Sequence, residues 1–220
     1  TNAIIERKGA KTALITTQGF RDVLETGREQ IYDIYDLQAK YPEPLVPRYL
    51  RREVSERVNR DGQIYKCPPE TEALTIADEL TTHGVEAVAI CLLHSYKNPS
   101  NERKLKTLLQ AHFPDLILSL SSEVSPVINE YERTSTTAID SYIKPSNSRY
   151  LRGLEEALSQ VGYTGELLVM HSAGGVLTSE RAREYPVRLL ESGPAAGALA
   201  AGFYGELIGK PDLVSLDMGG

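Results

Sequence analysis

Hydrophobic and polar positions change their spacing repeatedly along the chain, which predicts strands alternating with helices. Residues 85–96 are almost continuously apolar, as expected of a strand that is covered on both faces. The predicted strands are residues 12–17, 85–96, 115–124, 166–172, 187–192 and 212–217. The predicted helices are residues 2–8, 19–29, 69–84, 98–113, 129–160 and 193–209, the long one with a break or kink at Pro145. This order predicts an α/β fold, with a layered, largely parallel or mixed sheet and flanking helices.

Two segments interrupt this alternation. "KYPEPLVPRYL" carries three prolines, so it predicts an extended connector rather than a helix interior or a central strand. "RREVSERVNRDGQIYKC" predicts a hairpin, because Asp61 and Gly62 form a favourable pair for a tight turn.

Composition and charge narrow the class of protein. The chain has 220 residues, of which 41% are hydrophobic and 25% charged, as is typical of a globular fold. A boundary near Pro126 divides it into two predicted regions, 1–125 and 126–220. The formal net charge is −6, and no stretch combines many lysines and arginines with aromatic residues. Nucleic acid is therefore not an expected partner.

The lengths of the apolar runs and the positions of the cysteines indicate the cellular compartment of the protein. No apolar run approaches the roughly 18 residues that a membrane span needs, so no membrane partner is expected. Cys67 and Cys91 are far apart and have no metal or redox spacing. Free thiols indicate a reducing compartment, and we expect a cytoplasmic protein. The chain begins without methionine and ends within a loop pattern, so we expect an internal fragment of a longer protein, truncated at both ends.

The segment "LVSLDMGG" closes a predicted strand with an acid and two glycines. The carboxylate of Asp217 is expected at the C-terminal end of that strand, where ligands bind in α/β sheets. Gly219 and Gly220 allow positive φ and let backbone N–H groups approach an anion. This arrangement can hold a phosphate and its metal ion, although a plain tight turn gives the same pattern.

The preceding segment "ESGPAAGALAAG" predicts the start of a helix built from small residues. Pro194 suits a first helical turn, and the small side chains let the helix approach another helix or a ligand closely. Glycine lowers helix propensity, so close packing or function must compensate. Helix–helix packing and ligand binding remain open alternatives for this segment.

The order of these motifs, with "ESGPAA" before the small-residue helix and "DMGG" after the next strand, resembles the actin-like (ribonuclease H-like) ATPase superfamily. The resemblance implies an ATPase lobe in which "DMGG" forms the second phosphate loop, with Gly219 and Gly220 in contact with phosphate. It implies that Asp217 acts in catalysis by positioning Mg²⁺ or a metal-bound water. Ser192 and Gly193 are expected near ATP, where the helix crosses between the lobes.

Longer segments resemble the hydantoinase/oxoprolinase family along nearly the whole chain: "TNAIIERKGAKTALITTQGFRDVLETGRE", "AVAICLLHSYKNPSNE", "EVSPVINEYERTSTTAIDSYI" and "SGPAAG". The resemblance implies ATP-dependent opening of a cyclic amide (5-oxoproline, hydantoin or N-methylhydantoin) through phosphorylation of the amide oxygen. It also implies an oligomer with a hydantoinase B-type subunit or fused region. A subunit of the acetone or acetophenone carboxylase type and a nucleotide-gated regulatory module remain alternatives.

Other candidate residues follow predicted strands or open a helix. Gly174 and Gly175 in "HSAGG" are expected near the nucleotide, although a strand-to-helix turn explains them equally well. The ranges Glu130–Thr137 and Arg21–Asp22 are candidates for contact with the substrate. Acids in a first helical turn also suit the helix dipole, so Glu130–Thr137 has a purely structural alternative.

Overall fold

A computed structural model of the chain describes residues 1–28, 35, 36, 38 and 42–218. Its strands are β1 (Thr12–Thr17), β2 (Arg51–Val54), β3 (Arg57–Val58), β4 (Ile64–Lys66), β5 (Ala87–Cys91), β6 (Ile117–Leu120), β7 (Leu168–Met170) and β8 (Val176–Thr178). Its helices are α1 (Asn2–Ile5), α2 (Val23–Thr26), α3 (Glu70–Thr82), α4 (Ser100–His112), α5 (Ser121–Val124), α6 (Glu130–Gln160), α7 (Ser179–Glu184) and α8 (Ser192–Leu207).

The centre of the fold is a sheet of four strands in the spatial order β2, β1, β5 and β6. Each neighbouring pair in this sheet is parallel. The antiparallel pairs β3–β4 and β7–β8 form hairpins outside it. All residues of β5 are buried, so the sheet is covered on both faces, as the apolar run predicts. The α/β class with flanking helices is confirmed.

The flanking helices turn an apolar stripe towards this sheet. The buried hydrophobic residues of α3 and α4 are Ala73, Ile76, Ala77, Leu80, Leu105 and Leu109. They recur at three- and four-residue intervals, which places them on one side of each helix. α3 and α4 pack against each other, and α6 packs along β1, β5 and β6. Each fully buried leucine or isoleucine contributes about 1.5–3 kcal/mol relative to its exposed state.

α6 is a single helix of 31 residues, about 46 Å long at 1.5 Å per residue. Pro145 lies inside it and is buried, so the helix is not broken there, and the alternative of a kink at Pro145 stays a prediction. Proline removes one helical hydrogen bond, and the packing of α6 along the sheet offsets this cost. One continuous helix therefore runs from the sheet to the C-terminal part of the chain.

Residues 51–67 fold differently from the single hairpin that the sequence predicts. β2 joins the main sheet beside β1, in register with Leu14 opposite Arg51. Only β3 and β4 form a hairpin, and its turn is held by Asn59, whose Oδ1 accepts hydrogen bonds from the N–H groups of Asp61 and Gln63 over 3.0 and 2.8 Å. The pairing of β2 with the main sheet is favoured because the side chain of Val54 is fully buried there.

Two predicted strands near the C-terminus are wrong. Within residues 187–192, a 3₁₀ helix (Pro186–Leu189) and a left-handed Glu191 (φ 58°) replace the strand. Pro186 fixes φ near the helical range, which favours this tight turn. The segment 212–217 has no strand assignment and is exposed. An apolar pattern makes a strand only beside a partner, and no described strand pairs with this segment.

The structure also bears on the expectations for the cysteines and for membrane-spanning segments. Both cysteines are free, with Cys67 exposed and Cys91 buried. Across the described residues, we find no helix with the length and apolar character to cross a membrane. The boundary between regions 1–125 and 126–220 stays a prediction.

Candidate functional site

A cavity of about 1030 Å³ lies between α1, the C-terminal half of α6 and the turn that leads into α8. Three of the predicted site residues, Ser192, Gly193 and Asp217, line it together although 24 positions separate Gly193 from Asp217. Tyr150 of α6 and Glu191 also line the cavity. The start of the small-residue helix and the acid of "DMGG" therefore border the same cavity, and their role in nucleotide binding stays a prediction.

The start of α8 offers free backbone donors to this cavity. Ser192 and Gly193 are its first two residues, and no side chain caps them. Pro194, the third residue, has no N–H to satisfy. Unpaired N–H groups and the positive end of the helix dipole together attract anions. A Cβ built at Gly193 meets no atom within 4 Å, so the cavity is open at this point.

The residue before α8 is held in an unusual conformation. Glu191 has φ 58° and is bound to the start of the chain: the Thr1 hydroxyl donates to Glu191 Oε1 over 3.1 Å. The Glu191 N–H in turn donates to Thr1 Oγ1 over 3.4 Å. This pair fixes the turn from which Ser192 begins the helix. Sequence analysis missed Glu191 as a lining residue, although it is the first letter of "ESGPAAG".

The cavity lining includes the side chains of two acids, Glu191 and Asp217. A phosphate there needs a cation between itself and these acids. In the described part of the chain, no group of three or more His, Cys, Asp or Glu side chains could hold a metal ion. Mg²⁺ commonly takes only one or two carboxylates together with phosphate oxygens and water. The residues present therefore fit a Mg²⁺ ion that binds together with a phosphate. They do not supply enough ligands to hold the ion without one.

The other predicted nucleotide contacts lie elsewhere. Gly174 and Gly175 form the turn between β7 and β8 and do not line the cavity. A Cβ on Gly174, whose φ is 84°, would lie 3.0 Å from Leu199 Cδ1 of α8. The turn is therefore a packing contact with α8, and its role in nucleotide binding stays a prediction. Gly219 and Gly220 lie outside the described residues.

The small residues of α8 have a packing role. A Cβ on Gly205 would lie 2.6 Å from Leu213 Cδ1 and 2.8 Å from the Lys210 carbonyl oxygen. A Cβ on Gly197 would lie 3.9 Å from Ser215 Oγ. The segment that carries Asp217 therefore lies along α8, on its glycine positions. Of the two alternatives left open by the sequence, close packing applies at Gly205, and Gly193 remains free for a ligand.

A second cleft, of about 630 Å³, lies at the N-terminal end of α6. It brings Asp22 together with Glu130 and Glu132, which sequence analysis named as separate candidates for substrate contact. The hydrogen bond from Arg48 lowers the pKa of Asp22, with Nε–Oδ1 at 2.8 Å. The hydrogen bond from Arg28 Nε, at 2.7 Å, lowers the pKa of Glu132. Both carboxylates are thus ionised at neutral pH.

Within the range Glu130–Thr137, Arg133 and Thr134 have structural roles. Arg133 is 1% exposed and donates to the carbonyl oxygens of Leu92 (3.1 Å) and Val127 (2.8 Å). Thr134 Oγ1 lies 3.1 Å from Cys91 Sγ, and burial raises the pKa of that thiol. Cys91 is therefore an inert buried thiol, as its apolar surroundings predict.

Comparison with known protein families and relatives defines the class of protein. Residues 1–113 match the model of the hydantoinase/oxoprolinase N-terminal region, and residues 133–220 match the model of hydantoinase/oxoprolinase. The chain therefore belongs to the hydantoinase/oxoprolinase family.

Three relatives illustrate the range of this family. The uncharacterized protein MJ0964 of Methanocaldococcus jannaschii is 40% identical over 96% of this chain and 31% of its own length. Caprolactamase subunit alpha of Pseudomonas jessenii is 33% identical over 100% of this chain and 32% of its own length. The acetone carboxylase beta subunit of Xanthobacter autotrophicus is 32% identical, also over 100% of this chain and 32% of its own length.

Two solved structures share the fold. The ATP-dependent caprolactamase from Pseudomonas jessenii superposes with a TM-score of 0.87 at 32% identity, covering 94% of this chain and 30% of that chain. Nucleotide-free acetone carboxylase superposes with a TM-score of 0.82 at 31% identity, covering 94% and 31%. Both are consistent with the predicted actin-like ATPase lobe. The chain spans about a third of the length of these relatives.

Proposed function

We propose that the chain is the nucleotide-binding part of an ATP-dependent enzyme that opens a cyclic amide. The observation that supports this most is the meeting of Ser192, Gly193 and Asp217 at one cavity, where α8 presents uncapped N–H groups. Free N–H donors suit phosphate oxygens, and the nearby carboxylate suits the accompanying cation. No nucleic acid or membrane is part of the proposal.

Each residue has a role in this proposal. The N–H groups of Ser192 and Gly193 bind phosphate, and Asp217 holds Mg²⁺ or one of its waters. Gly219 and Gly220, which follow Asp217 in the sequence, add further phosphate contacts in this proposal. Bound Mg²⁺ supplies positive charge that neutralises the phosphates of ATP. The chain itself positions ATP and fixes the N–H donors before the reaction, which is electrostatic preorganisation.

The reaction that we propose has two steps, phosphorylation of the amide and then hydrolysis. The γ-phosphoryl group moves from ATP to the amide oxygen of the ring, and ADP leaves. Water then adds to the activated ring carbon, the C–N bond breaks and inorganic phosphate leaves. Candidate substrates are 5-oxoproline, hydantoin and N-methylhydantoin, and the caprolactamase relative acts on a lactam by name.

A second candidate function is ATP-dependent carboxylation of a ketone. The similarity to the acetone carboxylase beta subunit favours it, and the acetophenone carboxylase gamma subunit is a further relative at 26% identity. Phosphorylation of an enolate or of bicarbonate would use the same nucleotide cavity. A nucleotide-gated regulatory module is the third alternative.

We further propose a partner and a location. Several relatives are subunits by name, which supports an oligomer with a hydantoinase B-type subunit or fused region. The two free thiols support a cytoplasmic location.

The test is ADP release by the complete protein with any partner subunit, given MgATP and in turn 5-oxoproline, hydantoin, N-methylhydantoin, and acetone with bicarbonate. Stimulation by a cyclic amide supports the proposal. Stimulation by the ketone alone selects the carboxylase. ATP binding without any stimulation selects the regulatory module, and absence of ATP binding contradicts all three.

A matched pair of variants links this activity to the cavity. Asp217→Asn should lower ADP release about 10²-fold, the usual scale for losing one transition-state contact. Asp212→Asn changes an exposed acid on the same segment, which does not line the cavity, and should leave the rate unchanged. Equal rates for both variants contradict the role of Asp217.

A further inference from the structure

We propose that Asp140 is a positioning residue for the nucleotide cavity, because its buried carboxylate holds the turn that leads into α8. This inference rests on the proposed nucleotide site at Ser192 and Gly193. Asp140 does not line the cavity, so its effect passes through Val187, whose backbone N–H donates to Asp140 Oδ1 over 3.2 Å.

The carboxylate of Asp140 joins three elements at one point. It has 0% exposure in the middle of α6, and its Oδ2 accepts a hydrogen bond from the Ser119 hydroxyl of β6 over 2.8 Å. Lys144, one helical turn later, lies 3.6 Å from the same oxygen and donates to Ser119 Oγ over 3.3 Å. The sheet and α6 are thus fixed on one side of Asp140, and the Val187 N–H is held on the other.

Val187 is connected to the cavity through a short chain of contacts. It belongs to the 3₁₀ helix Pro186–Leu189, and both Pro186 and Leu189 line the cavity. The Val187 carbonyl accepts a hydrogen bond from the Leu190 N–H over 3.3 Å. Leu190 lies two residues before Ser192. A shift of Val187 therefore moves the turn that aims the first N–H groups of α8.

α6 contacts the segment before α8 at several places, and two of these hydrogen bonds differ in what they secure. Asn147 Nδ2 donates to the Ala182 carbonyl over 2.9 Å and secures α7. Asp140 secures Val187, which lies after α7 and directly before the turn into Ser192. A buried carboxylate costs desolvation energy that an apolar residue of similar size avoids. The geometry assigns a use to this costly group: it orients a backbone donor that an apolar side chain could not hold.

The test compares Asp140→Ala, Asp140→Asn and Ser119→Ala in the complete protein with any partner subunit. Asp140→Ala should raise the Kd and the KM for MgATP about tenfold, the effect of losing one buried hydrogen bond, while kcat stays within about threefold. Asp140→Asn should restore both constants, because the amide Oδ1 still accepts from the Val187 N–H. Ser119→Ala removes a different bond to Asp140 and should change the Kd less than twofold.

Hydrogen exchange at the Val187 N–H keeps the test decisive even where Asp140→Ala fails to fold. The wild-type N–H should be protected, and an unprotected Val187 N–H in the wild type contradicts the inference. If the wild type binds MgATP and a folded Asp140→Ala variant binds it equally well, only the positioning role fails. If the wild type binds no MgATP, the proposed function fails and the inference fails with it.

Discussion

Glu102 accepts a hydrogen bond from the Leu92 N–H over 3.0 Å, at the point where β5 ends. The carboxylate is fully buried and also accepts from the N–H of Ser122 over 2.9 Å and from the hydroxyl of Ser121 over 2.6 Å. The carboxyl ends of parallel strands are the usual place for ligands in open α/β sheets. Here the side chain of Glu102, from α4, occupies that place after β5, whereas the residues that follow β1 line the second cleft.

Replacement of Glu102 should destabilise the protein strongly. Glu102→Ala leaves the buried N–H of Leu92 and the half-buried N–H of Ser122 without acceptors, so we expect the free energy of unfolding to fall by about 3 kcal/mol. Urea denaturation measures it, with Gln110→Ala on an exposed position of the same helix as the control. A loss no larger than that of the control contradicts the structural role of Glu102.

Glu56 should make stability depend on pH. Burial raises the pKa of its carboxyl, which accepts hydrogen bonds from Thr17 Oγ1 and from Asn101 Nδ2. The folded state therefore holds the proton more tightly than the unfolded state, and this contribution to stability is lost as pH rises through the raised pKa.

Glu56→Gln removes that proton equilibrium while its amide oxygen can still accept from Asn101. We expect the free energy of unfolding of the wild type, relative to Glu56→Gln, to decrease from about pH 4 upwards until the raised pKa is passed. Denaturation of both proteins over a pH series gives the difference directly. A difference that grows with pH has the wrong sign for a raised pKa and contradicts the burial effect.

Two glycines of α8 should respond oppositely to alanine. A Cβ at Gly202 meets no atom within 4 Å, so Gly202→Ala should stabilise the helix by about 0.5–1 kcal/mol. A Cβ at Gly205 would lie 2.8 Å from the Lys210 carbonyl oxygen, and backbone cannot give way easily. Gly205→Ala should therefore lower the melting temperature and Gly202→Ala should raise it. An increase for both variants would show that the segment after α8 does not pack against Gly205.

Gly193→Ala should separate binding from stability. The added methyl group meets no protein atom within 4 Å, and alanine is the better helix former, so the melting temperature should not fall. The same methyl group projects at the start of α8, where we place the phosphate. We expect the affinity for MgATP to fall about tenfold, as measured by calorimetry. Unchanged affinity at unchanged stability would place the phosphate elsewhere.

The elements that can be predicted from the sequence are those whose conformation is determined by nearby residues. β1, β5 and α6 follow from apolar runs and from spacing along the chain. The resemblance carried by the motif order implies a shared site for Ser192 and Asp217, which stays a prediction. The strand predicted at 212–217 is wrong because an apolar run does not specify which strand will lie beside it. The burial of Glu102 has no local signal either, since its donors are ten to twenty positions away.

α6 borders both the cleft at Glu130–Glu132 and the cavity at Ile143–Tyr150. Successive residues of an α-helix are rotated by about 100° around its axis, because 3.6 residues make one turn. One residue inserted between the two sites would swing Ser146 and Tyr150 away from the cavity, or turn Glu130 and Glu132 out of the cleft. Substitution can vary the surface of this helix, but the number of residues between Glu132 and Ile143 is fixed by the geometry of both sites.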